Sequence, residues 1–180
     1  MFQESACPET MPPSLEEALS ARLDRPDEAG EITNRQIKLV IFEFCRENFA
    51  IPGERISEII FQAEVFFVPG CPESMEGVIN VRGDITSVIR LNELLELPVQ
   101  PLQEGRSAIL LGQGNGMTSG IRVGQVIDVV DVDAAAIKPS PVSLSEHLRL
   151  RMPGLLEFAR RPVTVLDIDR LFADYARGLG

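Results

Sequence analysis

The single histidine of the chain is the first candidate for catalytic chemistry. Any histidine-based general base, metal site or phosphoryl acceptor in these 180 residues would have to use His147. It lies in the stretch SLSEHLRL, which we interpret as a surface helix. No serine or cysteine in a nucleophile-elbow sequence accompanies it. We therefore expect a solvated helix residue at His147 and a protein that is not an enzyme.

Carboxylates and thiols are the next candidates, because both can bind metal ions. Three aspartates alternate with valines in one apolar run (Asp128, Asp131 and Asp133). Such spacing is typical of the exposed face and end of a strand. The three cysteines, Cys7, Cys45 and Cys71, are widely separated and form no C-x-x-C pair. The sequence thus predicts reduced thiols and no metal site.

The glycine-rich stretch GQGNG, residues 112–116, could in principle cradle a phosphate. A nucleotide-binding loop should open a long helix and be followed by a lysine or an acidic partner for the ribose. This stretch instead separates two strand-like runs, and Asn115 and Gly116 suit a hairpin turn. We expect no cofactor. A small-molecule-binding or hydrolytic barrel would need a polar pocket around His147 or GQGNG.

The charge and the hydropathy of the chain limit the cellular compartment and the classes of partner that we expect for it. The formal net charge is −10, and residues 1–34 contribute −6 of it through eight acidic and two basic side chains. Nucleic acid and anionic membranes are repelled by such a field. No apolar run approaches the ~18 to 20 residues of a membrane span, and the N-terminus lacks the features of a signal peptide. We expect a cytoplasmic protein without membrane insertion, in which the tripeptide Arg82, Gly83, Asp84 has no cell-adhesion role.

The acidic N-terminal segment, residues 1–34, is expected to be a flexible leader with one short helix over residues 14–23. Ser14 is placed as the helix cap, and Glu17 completes a capping box. Leu15, Leu19 and Leu23 would share one face with Ala18. The pattern is equally consistent with a frayed helix and with a helix that docks on a partner.

From residue 35 onward the hydrophobic period changes from helical to that of strands. Apolar, β-branched runs such as GVINV, ITSVI and IRVGQVIDVV alternate with the turn sequences PG, RGD, GQGNG and RRP. Short strands at regular spacing predict a mostly β chain built as a small barrel or sandwich. Helical patterns are confined to residues 91–97, 143–150 and 167–179, the last with Asp167 as a candidate cap.

One segment of this pattern carries a family resemblance. The most specific motif of the CheW-type coupling proteins of bacterial chemotaxis is matched by residues 77–83, GVINVRG. The match consists of Gly77, three apolar residues interrupted by Asn80, and then Arg82 and Gly83. The chain resembles that family from about Gln36 to Ala176. The family's first hairpin resembles FEFCRENFAIPGERISEII, and its closing strand and helix resemble VTVLDIDRLF.

The resemblance implies a fold of two intertwined five-stranded SH3-like β-barrel subdomains with a few short helices. The CheW-like domain would cover residues 35–180. Its two subdomains would cover roughly residues 35–100 and 101–165, with exchange of strands between them, and a C-terminal helix would follow at about residues 167–177.

The resemblance also implies the partner-binding residues. They are Ile56, Glu58 and Ile59 after the first hairpin, Gly77, Asn80, Arg82, Gly83 and Asp84 around the central hairpin, and Val126 in the second barrel. Gly83 and Asp84 are expected to form the central turn, with Arg82 held beside it. Two interpretations of Arg82 stay open: direct contact with a partner, or a brace for the hairpin.

By resemblance, the protein would be a scaffold that couples the cytoplasmic tips of methyl-accepting chemoreceptors to the regulatory domain of a CheA-type histidine kinase. Other CheW-like proteins would join it in array rings. The same fold could serve a pilus or surface-motility pathway, or act as a decoy that binds receptors and damps kinase signalling. Two departures from the family pattern are candidates for partner specificity: Arg90 and Gly124 each replace a usual aspartate.

Overall fold

The computed structural model describes residues 35–99, 105 and 107–178. The predicted helix over residues 14–23 lies outside them. Most of the described chain is extended, in the strands β1 Gln36–Phe44, β2 Glu47–Pro52, β3 Ile56–Phe61, β4 Met75–Val81, β5 Asp84–Ile89, β6 Ala108–Gly114, β7 Met117–Val123, β8 Val126–Asp133, β9 Lys138–Pro139, β10 Gly154–Phe158 and β11 Arg161–Val165. The described helices are α1 Leu91–Leu95, α2 Glu146–Arg151 and α3 Ile168–Gly178.

The strands form two sheets. The first has the order β8-β1-β2-β11-β10-β9 and the second the order β3-β6-β7-β5-β4. Neighbours are antiparallel except for β2 with β11 and β5 with β7, which are parallel. Each sheet takes strands from both sides of residue 100, so the two are intertwined. The prediction of a mostly β chain with two sheet subdomains is confirmed, although the two-residue β9 gives the first sheet a sixth strand.

The chain connectivity shows that the first sheet curls. Its edge strands are β8 and β9, yet only residues 134–137 separate them. Six flat strands would place the two edges ~24 Å apart. Five residue steps span at most ~18 Å. The sheet must therefore bend until its edges approach each other.

The second sheet is closed by hydrogen bonds beyond β3. Phe66 donates its N–H to the Val78 carbonyl over 2.8 Å, and Val78 donates to the Phe66 carbonyl over 2.9 Å. Val78 belongs to β4, the edge opposite β3. The segment that leaves one edge of the sheet thus pairs with the other edge, which gives a barrel-like closure.

The main core lies between the two sheets. It joins Phe42 and Phe49 of the first sheet to Leu110 of the second and to Phe172 and Tyr175 of α3. The opposite face of β1 packs in a second cluster, with Leu39, Ile41, Ala50, Leu156, Val163 and Val165. Burial on both faces explains why the stretch IKLVIFEF alternates imperfectly.

The C-terminal helix α3 spans Ile168–Gly178, one residue later than the prediction of about 167–177. Asp167 caps it, since its carboxylate accepts the Arg170 N–H over 3.1 Å. The glycines of GQGNG let the helix approach β6, because a Cβ at Gly112 would overlap the Ile168 side chain. Asn115 and Gly116 form the β6–β7 turn with φ angles of 49° and 72°, which confirms the hairpin prediction.

Candidate protein-interaction site

The β4–β5 hairpin carries five of the predicted site residues. Val81 pairs with Asp84, so the two-residue turn consists of Arg82 and Gly83 with φ angles of 55° and 102°. Positive φ at both positions is typical of a type I′ turn. The expectation that Gly83 and Asp84 form the turn is therefore wrong: Asp84 is the first residue of β5. The register of the strands, which the motif alone does not specify, moves the turn back by one residue.

Asn80 stabilises this turn from the preceding strand. Its side-chain oxygen Oδ1 accepts the Gly83 N–H over 2.8 Å. Such a local hydrogen bond stabilises a backbone with positive φ, a conformation that residues with long side chains such as Arg82 seldom adopt. Arg82 is thereby held at the tip of the hairpin with its side chain 81% exposed.

Glu58 is the partner of Arg82. The guanidinium Nη2 lies 3.1 Å from Oε1 and 3.1 Å from Oε2 of the carboxylate. The Glu58 side chain is 34% exposed, so the pair lies on the surface with about two-thirds of the acidic side chain covered. Two residues predicted separately to bind partners are thus joined in one ion pair.

Gly77 has a packing role in the closed second sheet. A Cβ at this buried position would overlap the Phe66 carbonyl oxygen and lie 2.9 Å from Val65 Cγ1. The Phe66 segment can pair with β4 only because Gly77 has no side chain. Gly77 therefore permits the close approach of the Phe66 segment to β4 and offers no side chain to a partner.

The predicted residues Ile56 and Ile59 lie on β3 beside Glu58. Both are partly buried and pack against the main core. Arg90 is exposed just before α1, and its N–H donates to the Ser74 carbonyl over 2.9 Å. Arg90 and Glu58 thus present charged groups to solvent, whereas the two isoleucines mainly support the fold.

Gly124 and Val126 lie where β7 leads into β8. A Cβ at Gly124 would lie 2.6 Å from the Glu43 carbonyl oxygen, to which the Gly124 N–H donates over 2.9 Å. An aspartate at this position would force the link between β7 and β8 away from Glu43 of β1. Val126 packs partly on the main core and, together with Phe61, lines a cleft of about 530 Å³.

Sequence reasoning named none of the exposed apolar side chains that lie on β3, on β5 and on the segment that pairs with β4. Phe61, Phe66, Phe67 and Ile85 are 65%, 53%, 70% and 68% exposed. We call these four residues the apolar rim. Phe61 ends β3, Phe66 bridges to β4, and Ile85 pairs with Asn80. The runs IIF and VFF were the available signal, but a strand pattern does not tell whether such residues face the core.

The candidates for metal or catalytic chemistry have other roles. His147 Nε2 lies 2.7 Å from Glu96 Oε1, and both side chains are about half exposed. Asp131 pairs with Lys38, and Asp133 caps the turn Ala134–Ala136. The described residues contain no group of three or more side chains placed to hold a metal ion.

Two further sequence expectations concern the thiols and the membrane. Cys45 and Cys71 are free thiols. Burial, and secondarily the nearby Glu47 carboxylate, raises the pKa of the Cys45 thiol above its ordinary value. In the part of the chain that the structure describes, every helix is too short or too polar to span a bilayer.

Comparison with known proteins supplies independent evidence. The family model of the CheW-like domain matches residues 38–176. The probable chemotaxis protein CheW of Rhizobium etli is 27% identical over 138 residues, which cover 76% of this chain and 88% of that protein. The chemotaxis protein CheW of Klebsiella aerogenes is 27% identical over 145 residues, covering 81% and 86%.

A solved structure shares the fold. The scaffolding protein TtCheW from Thermoanaerobacter tengcongensis superposes with a TM-score of 0.68 at 23% sequence identity. The match covers 77% of this chain and 93% of that one. The two-sheet arrangement described above is therefore the arrangement of a known scaffold.

Proposed function

Because the chain belongs to the CheW-like domain family, we propose that it is a non-enzymatic adaptor that couples chemoreceptor cytoplasmic tips to the regulatory domain of a CheA-type histidine kinase. The relatives named above are chemotaxis proteins, and the solved structure is that of a scaffolding protein. An adaptor of this kind works in the cytoplasm, at arrays of receptors.

The observation that carries the proposal is the exposed Glu58–Arg82 ion pair together with the exposed side chains of the apolar rim. Protein interfaces draw most of their affinity from a few aromatic and arginine anchors enclosed by less important contacts. Phe61, Phe66 and Phe67 offer large apolar area to a partner, and Arg82 offers a planar cation. Such a surface fits a protein partner better than a small substrate.

We assign different roles to the residues of the predicted site. Glu58, Arg82 and Asp84 present charged groups to the partner. Gly77, Asn80 and Gly83 determine the backbone shape that holds them. Val126 lines a cleft together with Phe61 and so extends the apolar rim. The side chains of Ile56 and Ile59 support the strand that carries Glu58.

Coupling then follows from rigidity. A receptor that alters its contacts with one part of the adaptor biases the kinase bound to another, provided that the adaptor binds one kinase state more tightly. The adaptor needs no cofactor for this task. Arg90 and Gly124 are our candidates for residues that select among related kinases or receptors.

The test is binding of the purified full chain to the regulatory domain of each CheA-type kinase of its organism, with and without receptor cytoplasmic tips. Binding to one kinase, strengthened by receptor tips, is the expected result and identifies the pathway, whether chemotactic or pilus-type. Binding to receptors alone would replace coupling by a decoy role. Binding to neither would overturn the proposal.

A further inference from the structure

A second polar feature lies away from the β4–β5 hairpin, between helices α2 and α3. A cleft of about 530 Å³ is lined there by His147, Leu150, Arg151, Arg170, Asp174 and Arg177. These residues contribute three guanidinium groups and one carboxylate. The Glu96 carboxylate lies 2.7 Å from His147 Nε2 and 3.8 Å from Arg151 Nη1, so the local charge is +1 before His147 is counted. The formal charge of the whole chain is −10, so the cleft is an exception in an acidic molecule.

The floor of the cleft is a partly buried ion-pair network. Arg151 Nε lies 2.5 Å from Asp174 Oδ2, and Arg151 Nη1 donates to the Leu94 carbonyl over 2.5 Å. The side chains of Arg151 and Asp174 are only 17% and 14% exposed. The Arg151 carbonyl accepts the Asp167 N–H over 2.8 Å, which ties the end of α2 to the start of α3. The cleft is therefore preformed.

The rim of the cleft keeps cationic groups available. Arg177 pairs with the other oxygen of Asp174 but is 77% exposed. Arg170 is exposed, and within the residues that the structure describes its side chain forms no ion pair. Leu150, 47% exposed, adds an apolar surface beside them. Asp174 is fully occupied by two arginines, so it does not neutralise Arg170.

We propose that this cleft binds an acidic, leucine-containing segment of a partner protein. The carboxylates of the segment pair with Arg170 and Arg177, and an apolar side chain packs on Leu150. Planar guanidinium groups match carboxylates in geometry and are weakly hydrated, which suits them to such contacts. The site is separate from the coupling surface on β3 and the β4–β5 hairpin and does not depend on its function.

The experiment uses the full chain and a fluorescein-labelled synthetic peptide of leucine and glutamate, with fluorescence anisotropy at moderate ionic strength. A peptide in which glutamine replaces every glutamate is the control ligand. Arg170→Glu is the test variant, and Arg161→Glu is its match, because both substitutions alter an exposed arginine and change the net charge equally. Thermal unfolding of both variants verifies that they fold.

We expect the acidic peptide to bind, the glutamine peptide to bind at least about fivefold more weakly, and Arg170→Glu to lose about fivefold to tenfold in affinity. Arg161→Glu should bind as the wild type does. Equal binding by the two variants would overturn the proposal, as would absence of peptide binding. Inorganic phosphate could displace the labelled peptide more strongly than another salt of equal ionic strength does. That result would overturn the proposal of an acidic protein segment and identify a small anion as the ligand.

Discussion

Arg82 Nη2 lies 3.1 Å from both carboxylate oxygens of Glu58, although Glu58 lies on β3 and Arg82 follows β4, the strand at the opposite edge of the five-stranded sheet. In a flat sheet of five strands those edges would be ~19 Å apart. The pair can form only because the sheet curls and the Phe66 segment closes it on β4. The ion pair is thus a consequence of barrel closure, and it places two charged groups together on the outer surface.

Arg82→Ala should weaken binding to the kinase regulatory domain without much effect on folding. An exposed ion pair stabilises a protein by at most about 1 kcal/mol. Titration calorimetry measures the binding, and urea denaturation measures the free energy of unfolding. Arg161→Ala, an exposed arginine on β11, is the control. If Arg82→Ala lowers the free energy of unfolding by several kcal/mol while the folded protein binds normally, Arg82 is a brace for the hairpin.

Gly77→Ala should destabilise the fold by about 1 to 3 kcal/mol, because the new methyl group would overlap the Phe66 carbonyl. Urea denaturation measures the loss. Gly70→Ala is a matched control, since Gly70 has a φ of 78° but a Cβ placed there would have no atom within 4 Å. Equal losses in the two variants would contradict the closure role of Gly77. Gly77→Asp should lose partner binding mainly through the damaged barrel.

Asn80→Ala should lower the free energy of unfolding by about 0.5 to 1.5 kcal/mol, since the Gly83 N–H loses its acceptor at the turn. Asn80→Asp keeps an oxygen at the same place and should be closer to the wild type. Thermal unfolding distinguishes the two variants. A result in which both substitutions have the same effect would mean that the hydrogen bond does not stabilise the turn.

Phe67→Ser should reduce the affinity for the kinase or the receptor tips by more than about tenfold while leaving stability nearly unchanged. Phe67 is 70% exposed, so its removal leaves no cavity in the core. The matched control is Val99→Ser, because Val99 is 77% exposed and lies outside the apolar rim. Unchanged binding to both partners would exclude Phe67 from the interface.

Cys45 should react slowly with iodoacetamide at neutral pH, because burial and the Glu47 carboxylate raise the pKa of its thiol. Glu47→Gln should lower that pKa and speed alkylation, which peptide mass spectrometry follows at Cys45 alone. In the unfolded chain the thiol ionises near its ordinary pKa of 9.0. The folded state holds its proton to higher pH, so this group should lower the free energy of unfolding as the pH rises above about 9. Fast alkylation at pH 7 would contradict the shift.

Features that depend on neighbours in the chain were predictable from the sequence. The turn at Asn115 and Gly116, the cap at Asp167 and the helix after it all follow from residue types a few positions apart. The motif from Gly77 to Gly83 indicated the family, and the family model confirms it. Apolar periodicity indicated a mostly β chain, since strand residues alternate between two faces whatever their partners are.

Tertiary structure was needed wherever a feature joins distant segments. The strand register placed Arg82 in the turn, where the motif suggested Gly83 and Asp84. Pairing of Phe66 with Val78 showed why residue 77 must be glycine, and closure of the sheet joined Glu58 to Arg82. Hydrophobic pattern and turn chemistry act over a few residues, so they determine the elements. Contacts between residues far apart in the chain arise only from the order and curvature of the sheets, which decided the faces of Phe61 and Phe67 and assembled the cleft around Arg151 and Asp174.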